Sequence, residues 1–250
     1  GATSGANFSR SLILALTMRS IGTPNWMINQ DLCGGCRAVS GRITGLNIQR
    51  GEDIDRTNCA LIVGRNSSDA DPIEWSALKA AKKRGAKLIV IDPKRTPAAG
   101  IADIWLQNRI GTDAAIALAM IDVIVREGLH AADFVRERTH GFDELVERAK
   151  AYPPERAAEI AGVPADEIRA AARLYAEGPS TFVSGHGIDA ASNGVQTFRA
   201  FHALAAVTGN IDRSGGNLRQ RMPKGFSTYI ELLHRPEFRL DAETEARTLG

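Results

Sequence analysis

With 250 residues, of which 44% are hydrophobic and 24% charged, the chain is long enough to bury a large core as one α/β domain or as a domain with a smaller appendage. The formal net charge is +2, and Lys82-Lys83-Arg84 is the one tight basic run, so the charge pattern does not call for nucleic acid or an anionic membrane as a partner. No apolar run approaches the roughly 20 residues of a bilayer-spanning helix, and we expect no direct membrane insertion.

Hydrophobic periodicity predicts eight helices and four short strands. The predicted helices are Phe8–Ser20, Glu74–Arg84, Asp113–Glu127, Ala131–Glu137, Phe142–Ala151, Glu155–Ala161, Ala165–Glu177 and Val195–Val207. The predicted strands are Ala60–Val63, Lys87–Ile91, Ile104–Leu106 and Thr181–Ser184. Because helical segments separate the strands, the fold class is predicted to be α/β, with a parallel sheet covered by helices on both faces.

Polar side chains follow the first two predicted strands at the point where each apolar run stops. Asn66 and Asp69 come after the first strand, and Asp92 and Lys94 come after the second. Parallel strands end at the same edge of a sheet, so these four residues should share one edge. Ligands of open α/β sheets bind in the crevice at that edge.

Two further turns should reach the same edge. Gly111 precedes an apolar helix, and Thr112 or Asp113 is expected to cap it, leaving backbone donors that could bind a polar ligand. The turn Gly185-His186-Gly187 follows the fourth strand, where it could be either a plain turn or a close approach of the backbone to a ligand. Neither turn has the spacing of a nicotinamide or flavin dinucleotide motif, and no P-loop pattern is present.

The three cysteines are too few for a disulfide-built fold. Cys59 opens a buried strand, where it should act as a small hydrophobe. Cys33-Gly34-Gly35-Cys36 forms a C-x-x-C pattern, which could be a redox pair, half of a zinc site or a source of one metal ligand.

Six segments, taken in order, carry a resemblance to a known family. They are IGTPNWMINQDLC (residues 21–33), LIVGRNSSDADP, GAKLIVIDPKRT, GIADIWLQNRIGTDAAIALAM, EGLHAADFVRERTHGF and GVQTFRAFHALAAVTGNIDRSGGN. Together these segments resemble the molybdopterin oxidoreductases of the dimethyl sulfoxide reductase family. The resemblance implies a Rossmann-like domain of a larger multidomain molybdoenzyme. It implies a segment at 1–45 that carries the metal-ligand loop, the cofactor-binding domain at 46–217, and an extension or linker at 218–250.

The resemblance implies a bis-molybdopterin guanine dinucleotide cofactor that holds Mo or W. In this reading Asp92 accepts hydrogen bonds from the guanine edge, while Lys94 and Arg95 lie near phosphate. The implied cofactor-binding residues are Gly64, Asn66, Asp69, Asp92, Pro93, Lys94, Arg95, Gly111, Thr112, Asp113, Gly185, His186 and Gly187.

Cys33 is the implied catalytic residue and metal ligand, because it lies eight residues after Asn25, where sulfur-compound reductases of this family place theirs. A thiolate suits a soft Mo or W centre. A 4Fe-4S cluster is expected upstream of this chain. The expected partners are the remaining domains or subunits of the same enzyme and an iron-sulfur electron-transfer subunit, in either the cytoplasm or the periplasm of a bacterium or archaeon.

Three functions remain open at this point. The first is a Mo or W oxidoreductase that transfers two electrons or an oxygen atom. The second is a non-catalytic scaffold domain, as in the large iron-sulfur subunits of NADH dehydrogenases, and the third is an ordinary nucleotide-binding enzyme of Rossmann type. Within the first, Gly34 follows Cys33 where formate dehydrogenases of the family have His, which argues against formate as the substrate.

Overall fold

The structure, a computed structural model, describes residues 31–46 and 51–219, together with residues 13, 17, 18, 20–22 and 241. Leu32–Gln220 forms one compact unit, and the two ends of the chain form a second. The predicted helix Phe8–Ser20 and the predicted extension at 218–250 lie mostly outside the described residues, and Asn25 lies outside them. The predicted domain limits stay predictions.

A four-stranded parallel sheet forms the centre of the unit, in the order β3-β2-β1-β4. Its strands are β1 (Cys59–Val63), β2 (Lys87–Ile91), β3 (Ile104–Leu106) and β4 (Ser180–Ser184). Each of the four predicted strands is confirmed, two of them with identical bounds. All five residues of β1 are buried, because the strand is central and both faces of the sheet are covered.

Helices connect the strands and cover both faces, which confirms the predicted fold class. They are α1 (Cys36–Thr44), α2 (Ser67–Ala70), α3 (Pro72–Lys83), α4 (Pro97–Gly100), α5 (Asp113–Arg126), α6 (Ala132–Arg138), α7 (Phe142–Lys150), α8 (Pro154–Ala161), α9 (Ala165–Glu177), α10 (His186–Asp189) and α11 (Gly194–Val207). From α3 onward, every predicted helix is present within two residues of its predicted bounds. The sequence did not predict α1 or the one-turn helices α2, α4 and α10. Among the described residues, none of the helices has both the length and the apolar character to cross a bilayer.

The core is divided by the sheet into two clusters. On one face, side chains of α5, α9 and α11 pack against Leu61 and Ile89. On the other face, Leu78 of α3 packs with Ile62 and Val90. Alternate residues of the same strand thus enter different clusters, as the period of a β-strand requires.

The strand order creates a topological switch point between β1 and β4. From β1 the chain continues to β2 and β3 on one side, and later returns to form β4 on the other side. The ligand crevice of an open α/β sheet is therefore expected outside the carboxyl ends of β1 and β4.

Candidate functional site

Backbone contacts between two glycine-containing loops form the floor of this crevice. The amide of Gly185 donates to the carbonyl of Val63 over 2.9 Å, and the amide of Gly187 donates to the carbonyl of Gly64 over 3.1 Å. A Cβ on Gly185 would lie 1.9 Å from the carbonyl oxygen of Gly64. Contact between the two loops is thus a sufficient reason for glycine at Gly185, and its role toward a ligand stays a prediction.

The side chains predicted after β1 bond to one another. Asn66 Nδ2 donates to Asp69 Oδ2 over 2.8 Å, and Ser68 Oγ lies 2.8 Å from Asn66 Oδ1. These contacts preset the orientation of the Asn66 amide before any ligand arrives. Next to them, the buried Ser67 Oγ has no hydrogen-bond partner within the part of the chain that the structure describes.

Asp92 and Asp113 are two buried acidic residues: Asp92 directly follows β2, and Asp113 is the first residue of α5. Burial raises the pKa of Asp92, although the backbone amide of Lys94, which donates to Asp92 Oδ1 over 2.8 Å, opposes the rise. Burial also raises the pKa of Asp113, and the negative charge of Asp92 adds to that rise. The two carboxylates are therefore close enough to interact, and a ligand that donates hydrogen bonds would relieve both.

The residues around these acids are either exposed or engaged with the backbone. Pro93, Lys94 and Arg95 are exposed, so both cations are free to approach an anionic ligand. Thr112 is the N-cap residue of α5, but its side chain does not cap the helix as predicted. The Thr112 hydroxyl instead donates a hydrogen bond to the carbonyl of Arg109. Gly111 adopts φ +81 and its carbonyl accepts a hydrogen bond from Asn193 Nδ2 over 2.9 Å.

Sequence reasoning missed three polar residues at this edge. Ser67 follows β1, Asn108 follows β3, and Asn193 contacts the Gly111 turn. Each has a buried side-chain oxygen without a hydrogen-bond partner among the described residues. Asn108 lies two residues after a strand, so the argument that found Asp92 could have found it. Asn193 is far from any strand end in sequence, and no local signal indicates it.

The unsatisfied groups test whether this edge fits a guanine nucleotide. Buried polar atoms without partners are rare in folded proteins because each costs about 1–3 kcal/mol. Here acceptor oxygens and two carboxylates lie together at one edge, and a guanine base offers N–H donors to match. These acceptors therefore match the N–H donors on the base edge of the implied cofactor.

The two cysteines of the C-x-x-C pattern have different surroundings. Cys33 is half-buried in the turn Asp31–Gly35, which leads directly into α1. Cys36 opens α1, where its Sγ lies 3.5 Å from the carbonyl oxygen of Asp189. A Cβ on Gly194 would lie 2.8 Å from the same sulfur, so Cys36 is packed into the start of α11. This packing leaves Cys33 as the better-placed ligand, although its metal-binding role stays a prediction.

The other candidate residues, Cys59 and His186, have different environments. Burial raises the pKa of the Cys59 thiol to about 12, so Cys59 is a core residue as predicted. Within the described ranges 31–46 and 51–219, no three His, Cys, Asp or Glu side chains form a cluster that could hold a metal ion. His186 is exposed at the surface, and its ring contacts Arg37 and Asp189.

Comparisons with known proteins identify the family of the chain. The model of the molybdopterin oxidoreductase family matches residues 4–233. Acetylene hydratase of Syntrophotalea acetylenica is 42% identical over 196 residues, which are 78% of this chain and 27% of the relative. The alpha subunit of an F420-dependent formate dehydrogenase of Methanocaldococcus jannaschii is 39% identical over 165 residues, 66% of this chain and 24% of the relative.

A solved structure has the same fold. Acetylene hydratase from Pelobacter acetylenicus superimposes with a TM-score of 0.70 at 40% identity, covering 79% of this chain and 27% of that one. The chain thus spans about a quarter of the length of these relatives.

Proposed function

The chain belongs to the molybdopterin oxidoreductase family, and we propose that it forms the part of a Mo or W enzyme that binds a molybdopterin guanine dinucleotide at the carboxyl edge of its sheet. The resemblance stated from the sequence is thereby confirmed. Membership of the family implies a pterin cofactor with Mo or W. Our proposal adds that the cofactor is the guanine dinucleotide form, that the enzyme holds a second such dinucleotide, and that the residues named here have the roles given below.

The observation that supports the proposal is a group of buried acceptors beyond β2 and β3: two carboxylates whose pKa values are raised by burial, and the Asn108 amide oxygen, which has no hydrogen-bond partner among the described residues. Asp92, Asp113 and Asn108 place oxygen atoms where a base edge can donate to them. Lys94 and Arg95 supply positive charge beside these acceptors for a diphosphate. An adenine base can donate only from its N6 amino group and lacks the adjacent N1–H and N2–H donors of guanine, so it would form fewer hydrogen bonds with these acceptors.

The bound metal and pterin would supply a centre that exchanges two electrons or an oxygen atom with a substrate. Cys33 would provide the protein's thiolate bond to that metal, since it lies half-buried in the turn ahead of α1 whereas Cys36 is packed against the start of α11. The glycine contacts at Gly64 and Gly185 would fix the crevice floor, and Asn66 would present its preset amide to the cofactor.

Activity of the whole protein needs more than this unit. We propose that further domains hold the second dinucleotide and a 4Fe-4S cluster, and that an iron-sulfur subunit exchanges electrons with it. The naming of one relative as an alpha subunit supports a multi-subunit enzyme. The scaffold alternative is disfavoured because a scaffold has no need to retain the buried acids Asp92 and Asp113.

A second candidate reaction is the addition of water to an unsaturated substrate. It is favoured by the 42% identity to a protein named acetylene hydratase, since hydration involves no net electron transfer. The two reactions share the cofactor site and differ in the need for an electron acceptor. Assays of the full-length protein with and without a redox dye would distinguish them.

The test of the cofactor proposal is the content of the full-length protein, produced in a host that makes the cofactor. We expect Mo or W together with guanine nucleotide and no adenine nucleotide after acid release. Asp92→Ala should lower the guanine content, because a lost hydrogen bond to a charged group costs about 1.5–3 kcal/mol. The matched control is Asp103→Asn, which changes an aspartate at the amino end of β3, on the opposite edge of the sheet. Protein with metal but adenine nucleotide, or equal losses in both variants, would contradict the proposal.

A further inference from the structure

We propose that Arg37 and Asp189 form a positioning pair, which holds the Cys33 turn against the loop after β4 and so sets the geometry of the bond between Cys33 and the metal. The inference rests on the proposed function, because it takes Cys33 as the metal ligand. It assigns a role to two residues that lie 152 positions apart and that the cofactor proposal does not use.

The Asp189 carboxylate is the centre of the pair. Its side chain is fully buried, and it accepts hydrogen bonds from the Arg37 backbone amide over 3.3 Å and from Arg37 Nε over 3.0 Å. Arg37 Nη2 also donates to it. A buried carboxylate must be paired to stay ionised, so the position of Asp189 determines where Arg37 can lie.

Arg37 transmits this constraint to the start of α1. Its guanidinium carbon lies 5.5 Å from the centre of the Phe198 ring, on α11, and the neighbouring Cys36 is packed against Gly194. The first turn of α1 is thus fixed to α10 and to α11 at once. Two glycines, Gly34 and Gly35, separate this fixed turn from Cys33.

The same pair reaches the loop that forms the crevice floor. His186 Nδ1 lies 3.2 Å from Arg37 Nη2 and 3.3 Å from Asp189 Oδ2. His186 stands between Gly185 and Gly187, whose amides bond to the loop after β1. The contacts therefore form one connected path from the Cys33 turn to the backbone that would lie under the pterin.

A pair that only stabilised the fold would have a different effect from one that positions a ligand. Loss of a stabilising pair lowers the amount of folded protein but leaves the metal environment of that protein unchanged. Loss of a positioning pair changes the metal environment in protein that still contains the cofactor, because sites loosen when their supporting residues are removed.

The experiment uses the full-length holoenzyme with Arg37→Lys and Asp189→Asn. Arg37→Lys keeps the charge but cannot make the paired contacts of a guanidinium, and Asp189→Asn keeps the shape but removes the charge. The matched control is Asp122→Asn, because Asp122 is also a buried carboxylate paired with an arginine, Arg126, on α5. X-ray absorption at the metal edge and the electron paramagnetic resonance of the +5 metal are recorded alongside metal and guanine content.

We expect metal and guanine contents within about twofold of wild type in all three variants. In the Arg37 and Asp189 variants the metal signal should split into more than one species, with a partial loss of protein-derived sulfur. The control should give the wild-type spectrum. If both variants keep that spectrum while Cys33→Ala loses the sulfur, the inference is overturned and the proposed function stands. If Cys33→Ala leaves the spectrum unchanged, Cys33 is not the metal ligand, and the inference fails while the cofactor-binding proposal stands. If the wild type holds no metal, the proposed function fails and the inference fails with it.

Discussion

Substitution of Gly185 by alanine should separate the two loops that form the crevice floor. The added Cβ would lie 1.9 Å from the carbonyl oxygen of Gly64 and 2.6 Å from Cα of Arg65. Ordinary contact begins at 3.4 Å, which is 1.5 Å farther than the first of these distances. Both neighbouring atoms are backbone atoms, so no side chain can rotate away.

The cost follows from overpacking and from lost hydrogen bonds. Overpacking a tight site costs about 1–3 kcal/mol, and the hydrogen bond from the Gly187 amide to the carbonyl of Gly64 contributes about 1 kcal/mol. We therefore expect a local destabilisation of about 2–4 kcal/mol. Because 1.4 kcal/mol is a factor of ten, the opening equilibrium should rise by about 30-fold to 700-fold.

Hydrogen exchange of the full-length protein measures this opening at the amides of Gly185 and Gly187. Gly100→Ala is the matched control, since a Cβ there meets no atom within 4 Å. Exchange in the control should be unchanged or slower, because alanine is favoured over glycine in a helix. Identical exchange rates in Gly185→Ala and Gly100→Ala would refute the close contact between the loops.

Three further predictions concern the acids, the cysteines and the core. Burial raises the pKa of Asp113 in the folded state, so the contribution of Asp113 to stability should fall as pH rises from the unfolded value of about 3.9 through the folded pKa. The stability of Asp113→Asn relative to wild type should therefore rise over this range and favour the variant at pH 7, and thermal unfolding of both proteins between pH 3 and pH 7 would show whether it does. Cys36→Ala should keep the protein-derived sulfur at the metal edge and Cys33→Ala should lose it, whereas the reverse pattern would identify Cys36 as the ligand. Phe201→Ala should destabilise the fold by about 3–5 kcal/mol in urea unfolding, because Phe201 is fully buried and stacks on Phe182 at 4.9 Å, and a loss below 1 kcal/mol would be inconsistent with that packing.

The sheet and the long helices could be predicted from the sequence because their patterns are unambiguous. β2 is a continuous apolar run with a turn on each side, and α9 has a strong 3.6-residue period between Pro164 and Gly178. In contrast, α1 has the sequence CRAVSGRIT, with a central glycine and a buried Ser40. Its helical form depends on packing against α11, including contacts of Ser40 and Thr44 with His202, and local propensity does not indicate it.

The strand-end residues of the site could be predicted for a simple geometric reason. Parallel strands end together, so a residue such as Asp92 can be placed at the edge without knowledge of tertiary structure. The Arg37–Asp189 pair could not be predicted in this way, because its two members are brought together by the packing of α1 on α10 and α11. Asn193 was missed for the same reason, since its contact with Gly111 joins two segments that are distant in sequence.

The two sides of the crevice differ in how their polar groups are satisfied. After β1, Asn66 and Asp69 bond to each other, so a ligand there must compete with bonds already made. After β2 and β3, burial raises the pKa values of Asp92 and Asp113 and Asn108 has an unpaired oxygen, so hydrogen bonds donated by a ligand would offset a burial cost that the fold already carries. Binding energy and base selectivity should therefore come mainly from the second side, while the first side sets the shape of the site. Burial of the acids that would recognise the base thus lowers the stability of the fold without ligand. A bound guanine nucleotide should therefore stabilise the wild type more than it stabilises the Asp113→Asn variant.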